Sequence, residues 1–368
     1  MNKNIKVSVV IPVYNAAEYL QDCLDGLVNQ TLKEFEIICV DAGSSDNSVE
    51  ILQAYAEKDS RVIPIKDKGR LFAGAARNIG LSCAKGEYLF FLDADDFFET
   101  DMLEKSYCRA KATDADIVVF ESDYYSELNK IYIPNYFTIN RDLIKGRPVF
   151  SADEIEKNVF RVFTGWAWDK LFKAEFIRES NLTFQDLRTT NDMLFVFAAQ
   201  ILAQRIVVMD ELLAHHRLTE HTLSVTREKS WHCFHEALIA LKETLEAHNL
   251  YERYEQDYIN YFVHFSLWHL KTLKNPAHDQ LYAKLKDEWY DKAGVPSYPE
   301  KYFYNKKEYK EYRNIYTYDC GKTPFSEKMK HKMLTVFELL GKAFYVMRQK
   351  GVIAAAKWVV LMKIKIGK

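Results

Sequence analysis

The stretch Tyr88-Leu89-Phe90-Phe91-Leu92-Asp93-Ala94-Asp95-Asp96 sets five apolar residues directly before three carboxylates. The apolar run is continuous rather than alternating, as in a strand covered on both faces. Three carboxylates within four residues repel one another, and such crowding is tolerable chiefly when a cation compensates. Ligands of an open parallel sheet collect beyond the carboxyl ends of its strands, so Asp93, Ala94 and Asp95 mark a ligand-facing edge. Mg2+ or Mn2+ suits hard oxygen ligands from one or two carboxylates, completed by substrate phosphates and water. The plainer reading is a solvated acidic loop in which Asp96 caps the next helix.

Outward from this stretch, apolar runs at residues 7–13, 36–40, 61–65 and 116–120 predict further strands. Amphipathic segments at 17–29, 46–57, 74–84 and 101–110 predict the intervening helices. The alternation implies an α/β fold, with a mostly parallel, Rossmann-like sheet flanked by helices. Residues 122–148 lose periodicity and read as an irregular insertion or hairpin. Helical patterns are expected at 152–160, 166–172 and 192–203, with a strand at 205–209. Beyond residue 226 the apolar spacing of three and four predicts helices alone. The expected organisation is therefore a first domain over 1–225, in two parts (1–120 and 121–225), and a helical region over 226–368.

A chain of 368 residues that is 48% hydrophobic can bury a sizeable core. Its formal net charge of −2 calls for no nucleic-acid partner. Six scattered cysteines without CxxC spacing read as free thiols in a reducing compartment. No signal-peptide pattern and no apolar run of bilayer length is visible, so a cytoplasmic protein is expected. Residues 326–368 carry ten Lys or Arg against two Glu, interleaved with aromatic and aliphatic residues. That mixture suits either an interfacial helix on the anionic inner face of the plasma membrane or a packed helix pair with a solvated basic face.

Two further strand ends carry polar residues. Pro12-Val13-Tyr14-Asn15 follows the first strand, where the alternative is an ordinary turn closed by Asn15 as helix cap. Asp41-Ala42-Gly43-Ser44 follows the second; Asp41 there either reads a base N–H or satisfies loop amides. Neither a GxGxxG fingerprint nor a Walker lysine motif is present, against a dinucleotide enzyme or P-loop ATPase.

The order of Ile11-Pro12-Val13-Tyr14-Asn15, Val40-Asp41-Ala42-Gly43-Ser44, Gly74-Ala75-Ala76-Arg77-Asn78-Ile79-Gly80, Lys85-Gly86-Glu87-Tyr88 and Leu92-Asp93-Ala94-Asp95-Asp96 resembles the family 2 glycosyltransferases of the GT-A fold. The resemblance extends through Trp168-Asp169-Lys170-Leu171-Phe172 and Thr190-Asn191-Asp192 to His216-Arg217. It implies that Pro12, Tyr14, Asn15, Asp41, Arg77 and Asn78 line the nucleotide pocket, and that Asp93, Ala94 and Asp95 form the DxD element. Asp95 is the preferred metal ligand, with Asp93 and His216 beside it. Ala42 stands where the family often has a second Asp, and Asn191 where Glu is more frequent.

Asp192, implied as catalytic base of an inverting displacement, has helix capping as its plainer role. Arg217 would face the departing diphosphate. The competing view sets His215-His216-Arg217 in a solvated turn. Trp166 and Trp168 offer aromatic faces to an acceptor sugar, with core packing as the alternative.

The expected activity is transfer of a sugar from a UDP-sugar, or another nucleotide diphosphate sugar, to an acceptor hydroxyl on a glycan, glycolipid or glycoprotein of the cell surface. Two other classes fit parts of the pattern: a DxD-type phosphohydrolase with Asp93 as nucleophile, and a non-catalytic, membrane-associated nucleotide-sugar-binding module.

Overall fold

In the computed structural model, the described residues are 4–317 except Lys68, Arg70 and 220–222, together with short stretches between 342 and 360. Most of the basic 326–368 segment, with Cys320 before it, lies outside them.

Among the described residues ten strands form one sheet: β1 (Val7–Val13), β2 (Phe35–Asp41), β3 (Val62–Lys66), β4 (Tyr88–Phe91), β5 (Phe97–Phe98), β6 (Ile117–Ser126), β7 (Ile131–Pro134), β8 (Val149–Phe150), β9 (Lys170–Lys173) and β10 (Ile206–Leu218). Their order is β3-β2-β1-β4-β9-β6-β10-β5, with β7 paired to β6 and β8 to β10. β1 runs parallel to both β2 and β4, so the chain direction across the sheet reverses at β1. A crevice opens at such a switch point beyond the carboxyl ends of the strands.

Each inner strand reads as a continuous apolar run because its two faces feed two cores. Val10, Ile38, Leu89 and Phe91 point into one, while Val9, Ile37, Phe90 and Leu92 point into the other. Helices α1 (Leu20–Val28), α2 (Ser48–Lys58), α3 (Ala73–Cys83) and α4 (Met102–Thr113) cover these faces as the amphipathic spacing predicts. Gly80 lets α3 lie directly on β1, since a Cβ there would collide with Val10. Gly74 likewise sits against the backbone of Gln185.

Residues 121–225 depart from the sequence reading in three places. Residues 166–172 are not helical: β9 inserts antiparallel between β4 and β6, sending Leu171 to one core and Phe172 to the other. A period of two cannot be recognised over four residues. The segment 152–160 is two short 3-10 turns, separated by Asn158 at positive φ. β10 continues to Leu218, so His215, His216 and Arg217 lie in a paired strand rather than a solvated turn. The insertion opens as the β6–β7 hairpin.

After the short helices α5 (Arg141–Ile144) and α6 (Ala174–Glu179), the apolar α7 (Met193–Leu202) is packed by α8 (Cys233–Ala247) and α9 (Tyr251–Thr272). Beyond residue 226 the described chain is helical, as the spacing predicts. Phe160, Phe197 and Tyr261 carry the core from the sheet into these helices without a break. In the tail, Trp358 is buried against Phe137 of the insertion. No helix among the described residues is long and apolar enough to cross a membrane.

Among the described residues, the helical core holds one histidine with no hydrogen-bond partner on either ring nitrogen. His269 is 7% exposed, stacked on Phe234, and neither ring nitrogen is hydrogen-bonded. Burial holds it neutral, with its pKa pushed down to about 3. Such a group leaves stability untouched above the unfolded value near 6.5 and erodes it as pH falls from there toward 3. Between pH 7 and pH 5 the loss from His269 is about 2 kcal/mol. Urea midpoints at both pH values should show this drop in the wild type and a smaller one in His269→Phe; equal drops would refute the assignment.

Candidate active site

The loops after β1 and β2 are stitched together. Asn15 is held at positive φ, its N–H donates to Ser44 Oγ (2.9 Å), and its Oδ1 accepts the Ser45 N–H (2.8 Å). Asn15 therefore does not cap α1, which begins at Leu20. Asp41, 2% exposed, accepts the N–H groups of Gly43 (3.3 Å) and Ser44 (3.2 Å). These bonds leave further lone pairs on its carboxylate. Gly43 takes the positive φ that the tight turn demands. Pro12 is half-buried and Tyr14 is exposed on the same rim.

Beyond β4 the three carboxylates meet three different environments. Asp93 is ion-paired to Arg77. Asp96 is buried and accepts from His216 Nδ1 (3.0 Å) and from the Arg217 N–H (2.9 Å), so it is a tie to β10 and not a helix cap. Asp95 has no side-chain partner among the described residues, and burial together with Asp96 and Asp93 raises its carboxyl to about 7. Ala94 is buried between them.

Arg77 is the hub of the site. Only 4% exposed, it pairs with Asp93 through one nitrogen and donates to Asn191 Oδ1 through another (2.7 Å). The DxD loop is thereby tied to the residue before Asp192. Asp192 is half-buried at the start of α7 and makes no capping hydrogen bond. Burial raises its carboxyl to about 6, against the pull of Arg77 and with a smaller push from Asp93. Asp192 thus stands at the N-cap position of α7 without spending its carboxylate there.

Other expected residues have different work. Asn78 spends both ends of its amide on the backbone of Phe184 (2.8 Å each), anchoring that loop rather than presenting a free group to a nucleotide. Arg217, 6% exposed, donates to Asp95 O (2.9 Å), Glu127 (2.7 Å) and Asp22 (3.2 Å). It braces the DxD backbone from beneath. His216 stacks on Trp168 with ring centroids 5.3 Å apart, and its pKa rises to about 9 because the pull of Asp96, Asp95 and Asp93 outweighs the opposing effect of burial.

Trp168 stacks on Trp166 as well and is 3% exposed, which leaves it no open face for an acceptor; Trp166 remains half-buried. Lys170, buried and paired with Asp169, donates to the carbonyls of Thr164 (3.1 Å) and Trp166 (2.7 Å) and so fixes the Trp166 turn. Gly165 brings that turn against Met193, beside Asp192.

Sequence reasoning passed over Asp96, Asn191, Asp22 and Glu127 as parts of this site. Asp96 and Asn191 carried a signal, since both sit inside the family motifs. Asp22 and Glu127 carried none, because only the fold brings α1 and the hairpin to Arg217. Among the described residues no group of three His, Cys, Asp or Glu is placed to enclose a metal ion. The residues present fit an ion held by one open carboxylate, Asp95, with its other ligands supplied by phosphate and water.

A mostly parallel sheet with acidic residues at the carboxyl end of its fourth strand defines a GT-A fold. The solved structure of S. aureus TarS aligns with it at a TM-score of 0.60 and 18% identity, over 99% of this chain and 92% of that one. The sequence model for glycosyl transferase family 2 matches residues 8–172. The putative glycosyltransferase EpsH of Bacillus subtilis is 30% identical over 292 residues, 76% of this chain and 81% of its own length. The uncharacterized glycosyltransferase EpsJ of the same organism is 31% identical over 59% of this chain, which spans 62% of EpsJ. The chain belongs to glycosyl transferase family 2, and its chemistry is glycosyl transfer.

Proposed function

We propose that the protein is an inverting glycosyltransferase that moves a sugar from a UDP-sugar to an acceptor hydroxyl in the assembly of a cell-surface polysaccharide or glycoprotein glycan. The observation that carries this reading is the Asp93–Arg77–Asn191 chain, which links the loop that carries Asp95 to the residue before Asp192. TarS has been solved with UDP-GlcNAc, which supports a uridine nucleotide as donor.

In this reading Asp41 and the Asn15–Ser44 loop receive the nucleotide, the lone pairs left on Asp41 accepting a base N–H. Asp95, with Asp93 behind it, holds Mg2+ or Mn2+, which when bound supplies positive charge to the diphosphate. Arg217 keeps the DxD backbone at the height that contact needs, and His216 holds Asp96 as its ion-pair partner. Asp192 takes the proton from the acceptor hydroxyl as that oxygen attacks the anomeric carbon from the face opposite the diphosphate. Trp166 borders the acceptor side. The protein works in the cytoplasm, at the inner face of the plasma membrane if its basic tail engages anionic lipid.

A screen of nucleotide sugars for metal-dependent donor hydrolysis tests the proposal. Release of UDP from one UDP-sugar, abolished by EDTA, is the expected result. Binding without nucleotide release from any donor, with or without acceptor glycans, would leave a binding module in place of an enzyme.

A further inference from the structure

Away from the crevice, an open cavity of about 720 Å³ lies between α4, the residues around Gly146 and the first half of β10. It is within the size range of small-molecule sites. Met209 on its wall is seven residues along β10 from His216, roughly 20 Å at strand spacing, so the cavity is separate from the transfer site.

Its lining is basic. Lys105, Arg109, Arg141 and Arg147 face two carboxylates, Asp210 and Glu211. Arg141 is committed to Glu121 (2.7 Å) and Asp210 (2.8 Å), and Lys105 to Asp101 (2.7 Å). Arg147 donates to the Glu154 carbonyl (3.0 Å), with the Glu154 carboxylate no closer than 3.9 Å. Arg109 has no ion pair among the described residues, and its Nε is buried without a hydrogen-bond partner. That sealed nitrogen is not what a ligand in the cavity would meet, but Arg109 lines the cavity with no acidic partner to compete for its charge, and a guanidinium presents a fork matched to phosphate oxygens.

We infer that this cavity is a second, anion-binding site that takes a phosphate-class group through Arg109 and Arg147. The chemistry is shared by a soluble phosphate ester, such as a phosphate carried on an acceptor, and by a phospholipid headgroup. Two arms of one experiment separate them.

Inorganic pyrophosphate is titrated calorimetrically into the full-length protein in EDTA, where the acidic DxD loop repels anions. Wild type should bind. Arg109→Gln/Arg147→Gln should lose about tenfold or more in affinity. Neither arginine is in a close ion pair, so the double variant should keep the wild-type melting temperature, and Arg109→Lys should recover part of the affinity. The second arm measures co-sedimentation with phosphatidylglycerol vesicles. Loss of both signals in the double variant assigns the site to a headgroup, and loss of pyrophosphate alone assigns it to a soluble phosphate ester. Absent binding by the wild type, or binding undiminished in the double variant, would overturn the inference.

Discussion

Asp192→Asn is expected to lower kcat for transfer by roughly 10²- to 10⁴-fold while leaving donor affinity unchanged, the range general-base removal commonly costs. The base must be ionised to accept the acceptor proton. Burial lifts its carboxyl to about 6, and Arg77 limits that rise. Wild-type kcat should therefore increase as pH rises through about 6 and level off above it. The residual rate of the variant should lack this step. Steady-state kinetics between pH 5 and 8 checks both statements, since the ordinary Asp value near 3.9 would place the step outside that window. A variant with wild-type kcat, or one that keeps the pH step, would remove Asp192 from the chemistry and return it to a helix-start role.

Asp95→Ala should reduce transfer by roughly 10²- to 10³-fold, the scale of removing one fixed electrostatic contact from a transition state. Its signature lies in binding. UDP affinity of the wild type should be higher in Mn2+ than in EDTA, and the two should coincide in the variant. Without metal the variant should melt at a higher temperature than wild type, because it relieves the crowding of Asp93, Asp95 and Asp96 around a carboxylate that has no side-chain partner. Site residues commonly trade stability for function in this way. Metal-dependent UDP binding that survives in Asp95→Ala would place the ion elsewhere.

The order of elements in the first 120 residues could be read from the chain because its signals are local. A strand buried on both faces must be apolar throughout, and a strand end that meets ligand must be polar. Val7–Val13 and the run into Asp93 satisfy both conditions within a dozen residues. The glycines of the Gly74–Gly80 motif likewise show close packing, although the partners they admit, Gln185 and Val10, lie far off in sequence.

Residues 121–225 could not be read as far. β9 is four residues long, too short for its alternation to be distinguished from a helix, and it is held by pairing with β4 and β6. The sequence by itself determined the α/β class, the strands β1 to β4 and β6, the acidic cluster and the helical character of the described chain beyond residue 226, since each rests on periodicity or on adjacent residues; the two-residue β5 carried no such signal. Only the tertiary structure decided which carboxylate stays open. Arg77, His216 and the Asp22–Glu127 pair around Arg217 reach the DxD loop from other elements, and a charge's partner is fixed by distance in space, which spacing along a chain does not encode.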